Sequence, residues 1–599
     1  MLPQKREFVR IHEGVLGNLD SLVAVDEAGA VTTISGSTSI PKKQKHEKKT
    51  NYEFYFPLLE LAPKDAGKVA GMHYERDGNG RLLPSLSVEY ASGEKTNIMV
   101  SKNGTGIMER ENGAGFTSNP GLGVRDALNI NDQKIIDAPE SVKRKTVGIN
   151  AEITNYHYGD GKNDYSIIIG TTPTKASWQF CETGRINEAL AEKRVKNALE
   201  HGVDVAKKGL GRKFGKILPD TGDYIADTWT LGELLFYNKK YGSITPSAIF
   251  DVQSHKEKDG IYLNSAGYGG MEWMRDATVV INDLAQDRKY EKIVEKFFRH
   301  AGEVVERVVV GENRFPQRLR IDGKPTSEWG EQLDQPGQLL SSLEAYKEAL
   351  DSRGENFRKK MFTKRNAKTA RIVADYLSEK VEEAGGSIPS CMDPFERDWD
   401  KHSTSGCAIY AGLKAAAKFT GDAKYARTAE KLKPELISFW DESKGQFLRK
   451  RGDYNVDSLT SWYLDVLDLT NPKEYGMALR NTETIERVLG RKDEKGRIGI
   501  ASIENSCYIG DNVWPWMTGL VGQAYCRLAE YAPDKTQKNG LLNRAESMLD
   551  YARTHTTMPG LLGEQVSPKT GKTVWASPLA TSMAPVKELE RALKTAKRY

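Results

Sequence analysis

Up to about residue 180 the apolar positions come in short runs broken by Gly, Asn and Asp, several of them alternating with polar neighbours as a strand with one covered face requires. Ser21–Val25 is followed by an Asp-Glu-Ala-Gly turn and then by Ala30–Ile34. Asn51–Phe56, Ser85–Tyr90, Ile149–Ile153 and Tyr165–Ile169 repeat the pattern. Many short strands at this spacing predict an N-terminal β-sandwich domain over residues 1–182. From residue 183 the period lengthens. Ile186–Leu199 carries apolar residues at helical intervals and reads as a connecting helix, inside a helical linker (183–224) that also holds a Gly- and Lys-rich stretch at 207–216. Helical periodicity then recurs at 226–239, 276–286, 289–309, 336–350, 366–383, 403–419, 422–438, 457–469, 477–489, 515–531, 540–554 and 578–597. So many helices joined by loops predict hairpins closed into a ring, an (α/α)6-barrel catalytic domain over 225–599, in preference to a simple bundle.

Composition narrows the function classes. Hydrophobic residues make up 38% of the chain, and no apolar run approaches the ~18–20 residues of a membrane span, so no membrane partner is expected. The first residues, Met1 to Gly14, show no apolar stretch after their basic positions, which leads us to expect a cytoplasmic protein. Lys and Arg exceed Asp and Glu by 87 to 82, a dispersed excess that argues against a nucleic-acid partner. The one basic concentration, Pro41–Lys49, is broken by Glu47 and reads as a solvated loop. The five cysteines are scattered without a CxxC pair and read as buried thiols. Nine histidines show no metal-ligand spacing, so neither a metal nor a cofactor is expected.

The tryptophans are unevenly placed: only Trp178 of the ten precedes residue 225, and several others fall in loops between helices. Loop indoles suit a sugar, whose flat C–H faces stack on an aromatic while its hydroxyls reach polar groups. Glycosidic hydrolysis further needs two carboxyl groups flanking one bond. Two carboxylates have unusual settings. Glu396 follows an aromatic in Ser390-Cys-Met-Asp-Pro-Phe-Glu-Arg-Asp-Trp399, and Glu564 follows the glycine-bounded turn Gly560-Leu-Leu-Gly. An apolar neighbour such as Phe395 raises a carboxyl pKa and suits an acid, whereas a more polar setting leaves a base ionised.

At these residues the chain resembles glycoside hydrolase family 15, which includes glucoamylases, glucodextranases and microbial trehalases. Gly270-Met-Glu-Trp-Met-Arg-Asp276 resembles the family's Trp-x-Arg-Asp motif, which implies that Trp273, Arg275 and Asp276 hold a terminal sugar. Glu328-Trp-Gly-Glu-Gln-Leu-Asp-Gln-Pro-Gly337 resembles the segment whose tryptophan, here Trp329, packs near the acid. Asp393-Pro-Phe-Glu396 resembles the acid motif and Gly560-Leu-Leu-Gly-Glu-Gln565 the base motif. Asn455–Leu459 and Arg497 through Trp516 sit where the family has a helix start and then an Arg and an Asn-x-Trp turn, which places Arg497 and Trp514 at the pocket. The resemblance covers about residues 225 to 590, and the strand-rich front is similar to that of prokaryotic members. It implies an exo-acting, inverting hydrolase of α-linked oligosaccharides that releases a terminal sugar, glucose by default. Glu396 would protonate the leaving oxygen and Glu564 would activate water.

Departures from the family pattern cluster around the sugar. Arg397 stands where a second Glu is common, and either faces away as a structural residue or recognises an acidic sugar or phosphate. Phe395 replaces a tryptophan, and Leu579-Ala-Thr-Ser582 puts Thr581 where the family has another. Two alternatives stand beside hydrolysis: a non-catalytic carbohydrate-sensing barrel, and an inverting phosphorylase with Arg397 as phosphate ligand. Possession of both Glu396 and Glu564 argues against the first, and the presence of a base against the second, since phosphate needs no deprotonation to attack.

Overall fold

The computed structural model describes residues 12–597 except 19–20, 27–28, 37–41, 47–48, 77–81, 101–104, 112–114, 127–132, 137–138, 148–150, 160–163, 183–187, 215–237, 239–241, 246–251, 257–261, 267–270, 321–322, 325–329, 506–510, 558–559 and 575–578. The front of the chain forms two antiparallel sheets. The first runs, in spatial order, His12–Asn18, Ser21–Asp26, Val31–Gly36, Lys49–Pro63, Phe116–Asp126, Gln133–Ile136, with Lys42–His46 folded back onto Lys49–Pro63. The second runs Ser141–Val147, Ala151–Gly159, Asp164–Thr171, Lys175–Glu182, Gly106–Arg110, Lys95–Val100, Leu82–Tyr90, Val69–Arg76. Val25, Val31 and Leu61 of the first share one apolar core with Leu86, Ile98, Ile107 and Trp178 of the second.

Strand Asp164–Thr171 shows why its isoleucines are consecutive. Successive side chains of a strand point to opposite faces. Tyr165, Ile167 and Ile169 enter the core between the sheets, while Ile168 joins Ile153 beneath Ala191, Val195 and Leu199 of helix α1 (Glu188–Phe214). Both faces are covered, so both are apolar. The helix comes so close at Gly170 that a Cβ there would lie 2.6 Å from Val195.

One expectation needs correction here. The basic stretch Pro41–Lys49, read as a solvated loop, contains a strand whose ladder runs from Lys42 opposite Glu53 to His46 opposite Lys49. A ladder is made by backbone groups, and an outlying strand tolerates a run of charge. The Gly- and Lys-rich stretch is helical as far as Phe214, Gly202 absorbing a break at φ +63° that separates it from the amphipathic part. The helix expected at 226–239 lies outside the described residues apart from Asn238.

From residue 271 onward helices dominate: α2 (Met274–Ala285), α3 (Glu291–Val304, continued by a π turn, Val305–Val309), α4 (Asp334–Ser352), α5 (Asn356–Glu383), α6 (Ser403–Thr420), α7 (Ala423–Ile437), a 3-10 segment (Ser458–Asp465), α8 (Pro472–Leu489), α9 (Pro515–Glu530), α10 (Lys535–Thr554) and α11 (Ala580–Ala596). Their contacts form a cycle. α2 packs on α4, α4 on α6, α6 on the 3-10 segment, that segment on α9, α9 on α11, and α11 back on α2, while α3, α5, α7, α8 and α10 alternate with them along the chain. Glycine permits the tightest of these approaches. A Cβ at Gly337 of α4 would stand 2.3 Å from the Ala408 carbonyl oxygen of α6, and one at Gly412 would meet Gly337 at 2.6 Å or less. No described helix is long and apolar enough to cross a membrane.

Candidate active site

Three helices of the inner cycle bring their N-terminal ends to one place. Trp273, Trp514 and Leu579 are the cap residues of α2, α9 and α11, each in extended backbone, and Pro515 fixes the first turn of α9, where its missing N–H costs nothing. A cavity of ≈ 600 Å³ at these ends is lined by Trp273, Arg275, Asp276, Pro394, Phe395, Glu396, Trp514, Trp516, Glu564 and Leu579. Its mixture of indoles with a few charged groups suits a small polar ligand. The two carboxylates singled out from sequence therefore meet, together with Trp273, Arg275, Asp276, Phe395 and Trp514.

Glu396 rides on a tight turn. Its amide donates to the Asp393 carbonyl at 2.9 Å, and its φ is +61°, a left-handed conformation that a non-glycine residue adopts only when its surroundings hold it there. The hold comes from Asp393, whose buried carboxylate accepts from the Arg397 amide (2.5 Å), Arg397 Nε (2.9 Å) and Arg397 Nη2 (2.6 Å). Phe395, on the same turn, meets Trp514 edge to face at 5.9 Å. Glu396 Oε1 accepts hydrogen bonds from Gln317 Nε2 (2.6 Å) and Trp273 Nε1 (3.3 Å). Burial raises its pKa above the usual carboxylate range, against the pull of Arg275, Arg318 and the Trp273 bond. The carboxyl is thereby suited to hold a proton and give it up.

Behind it lies a buried charge and amide network. Arg275 sits 3.4 Å from both Asp276 and Asp334. Asp276 also accepts from Thr581 Oγ1 at 3.1 Å, and burial raises its pKa against the attraction of Arg275. Gln335 Nε2 donates to the Gln317 carbonyl (2.6 Å) and to Gln332 Oε1 (2.7 Å), and Gln332 Nε2 donates to the Asp393 carbonyl (2.8 Å). These amides tie the Glu396 turn to the start of α2, where Gln335 Oε1 accepts from the Met274 amide at 2.8 Å.

Glu564 is held differently. It is 4% exposed and precedes the two-residue strand Gln565–Val566, which pairs with Thr573–Val574 and bridges to Val513 through reciprocal amide bonds of 2.9 and 2.8 Å. Asn512 Nδ2 donates to Gln565 Oε1 at 3.0 Å, and the Leu579 amide donates to the Leu562 carbonyl at 2.8 Å. Backbone bridges thus fix this carboxylate between the cap regions of α9 and α11.

Two residues expected at the sugar stand elsewhere. Arg397 turns back to Asp393 and to Asp457 (3.5 Å), the structural alternative for this residue, because two buried carboxylates outcompete solvent for its guanidinium. Arg497 closes its own turn: its amide and Nε bind Asp493 at 3.0 and 2.6 Å and its Nη1 reaches Thr554, away from the cavity lining. Trp329 lies outside the described residues. The sequence reading missed Trp516, Pro394, Leu579 and Gln317. Trp516 was within reach, two residues from Trp514 in the same turn. Gln317 carries no motif signal; the short ladder of Met271–Glu272 with Leu319–Arg320 brings its segment beside Trp273.

Two antiparallel sheets, a closed cycle of helices and a cleft at helix N-termini define a glucoamylase-like fold. Among solved structures, a bacterial glucoamylase complexed with acarbose is similar over 99% of this chain and 95% of its own, with a TM-score of 0.67 at 13% identity. Glucoamylases from Saccharomycopsis fibuligera and Hormoconis resinae each cover 59% of the chain, and 89% and 70% of their own, at TM-score 0.45 and 16% identity. No family model and no curated protein sequence matches the chain.

Proposed function

We propose that the chain is an inverting, exo-acting glycoside hydrolase of the glucoamylase type, built as a β-sandwich followed by an (α/α)6 barrel. The observation that carries this reading is the convergence of Glu396 and Glu564, distant in sequence, on one tryptophan-lined cavity. Glu396, its pKa raised by burial, protonates the departing glycosidic oxygen. Glu564 takes a proton from a water that attacks the opposite face of the anomeric carbon, which calls for carboxyls ~6.5–9.5 Å apart. Arg275 and Asp276 hold hydroxyls of the non-reducing terminal sugar through charge-assisted bonds. Trp273, Trp514 and Trp516 offer faces for its ring. Commitment of Arg397 to Asp393 and Asp457 favours water over phosphate as the nucleophile.

The test is turnover of α-linked disaccharides (maltose, isomaltose, trehalose, nigerose), with proton NMR of the first product formed. A β-anomer is expected. An α-anomer refutes inversion, and failure of every disaccharide and uronide analogue refutes the hydrolase. Glu564→Gln separates enzyme from sensor, because a sensor would bind its sugar unchanged.

A further inference from the structure

Farther along the same inner segments lies a second cavity, ≈ 710 Å³ of space that opens to solvent. Its lining comes from residues farther along five of the inner segments, Asn282 of α2, Gln338 of α4, Ala411 of α6, Trp462 of the 3-10 segment and Glu588 of α11, together with Trp516 at the start of α9. Trp516 lines both cavities.

Two features of this lining point to a ligand. Trp516 Nε1 and Asn282 Oδ1 are buried without a hydrogen-bond partner, and Trp516 is only 6% exposed. One is a donor and the other an acceptor, a pair that hydroxyl groups satisfy because each both donates and accepts. The acidic groups present little net charge to draw a cation. Asp465 is paired with Arg527 at 2.5 Å. Glu588 is pushed up to about 8 by burial and by Asp283, against Arg591, Lys587 and a bond from Gln523, so at neutral pH it mostly keeps its proton and is a donor as well. Two indoles, two amides and a protonated carboxyl form the donor, acceptor and stacking set that a sugar or cyclic polyol requires.

We propose that this cavity is a second binding site, for a neutral polyhydroxyl molecule of monosaccharide size, coupled to the first cavity through Trp516. Occupancy positions an indole that also faces the reacting sugar, so the two sites sense each other without sharing a ligand.

The test is calorimetric titration of the full chain with D-glucose, on wild type, Asn282→Leu and Asp276→Asn. Two binding events are expected in wild type, the first abolished by Asp276→Asn and the second by Asn282→Leu. If Asn282→Leu melts well below wild type, Ala411→Met fills the same space from α6 and takes its place. A single event lost only in Asp276→Asn, or no binding at all, overturns the proposal, as does a glucose-soaked crystal with only water between Trp462 and Trp516. A single event lost only in Asn282→Leu upholds this site and counts instead against sugar binding in the first cavity.

Discussion

The turns that carry Glu396 and Glu564 reach the same cavity by opposite means. Glu396 depends on side chains: a left-handed backbone clamped by Asp393 and Arg397, and a carboxyl bonded by Gln317 and Trp273. Glu564 depends on backbone: a short ladder, a bridge to Val513 and the cap of α11. A side-chain clamp lets neighbouring charges and donors adjust a proton affinity, whereas a backbone bridge mainly fixes a position. The difference teaches that the two carboxyls are not interchangeable, whatever their shared residue type suggests.

The strongest way to break that contrast is to remove each carboxylate in turn. Glu396→Gln and Glu564→Gln should each lower kcat by about 10²–10⁴-fold with the fold intact, measured on whichever disaccharide proves to be turned over. The stability of Glu396→Gln should differ from wild type in its pH dependence. The native state holds the Glu396 proton more tightly than the unfolded chain does. Its stabilising contribution is complete below the unfolded pKa, about 4.3, and is lost as pH rises through the raised native value. Glu396→Gln should flatten that decline in a series of thermal melts. A parallel decline in wild type and variant would show that burial does not control this group.

Next in size is the clamp itself. Arg397→Ala removes the nearest cation from the buried carboxylates of Asp393, which keeps Arg449 at 3.5 Å, and Asp457, and should cost about 3 kcal/mol in chemical denaturation. It should lower kcat more than it raises KM, because the guanidinium holds a turn and does not face the sugar. A rise in KM alone would return Arg397 to the binding site. On the other turn, Asn512→Ala removes one bond to Gln565 and should cost about 1 kcal/mol.

The same contrast explains what could be read from sequence. Glu396 and Glu564 stood out through motifs that resemble a known family, since an aromatic before one and a glycine-bounded turn before the other are local features too common to single out a residue by themselves. The long helices were equally legible, α6, α7 and α9 matching their periodicity to within a residue at each end. α5 was not, since it begins at Asn356, ten residues before its expected start, in a charged stretch whose Lys and Arg form helix well without marking a face. Gln317 and the amides behind it stayed hidden because they meet through a two-residue ladder and side-chain bonds between distant segments. The partners of Arg397 were hidden as well: the structural reading of this residue was open from sequence, but nothing in the chain's order announces that it answers to Asp457.

A finer test lies in the bond from Trp273 to Glu396. That bond favours the ionised carboxylate, so Trp273→Phe should raise the Glu396 pKa further and move the basic limb of kcat/KM to higher pH. The cost in kcat/KM should be about five-fold, the worth of one hydrogen bond, since the phenyl ring keeps the apolar wall. A limb that moves to lower pH, or not at all, would mean that the indole serves the ring of the sugar and not the acid.

The smallest effect belongs to Arg497, the residue that resemblance put at the sugar and the fold puts in a turn. Its partner Asp493 lies four positions earlier and also meets His555 Nε2 at 3.2 Å, so the carboxylate keeps a partner when the guanidinium is removed. An ion pair of this partly exposed kind contributes about 0–1 kcal/mol. Arg497→Ala should therefore shift the denaturation midpoint only slightly and leave kcat and KM for the disaccharide within two-fold or so of wild type. A ten-fold rise in KM would show that Arg497 leaves Asp493 when substrate arrives, and would set the inner edge of the site farther along the Asp493–Arg497 turn than the cavity lining indicates.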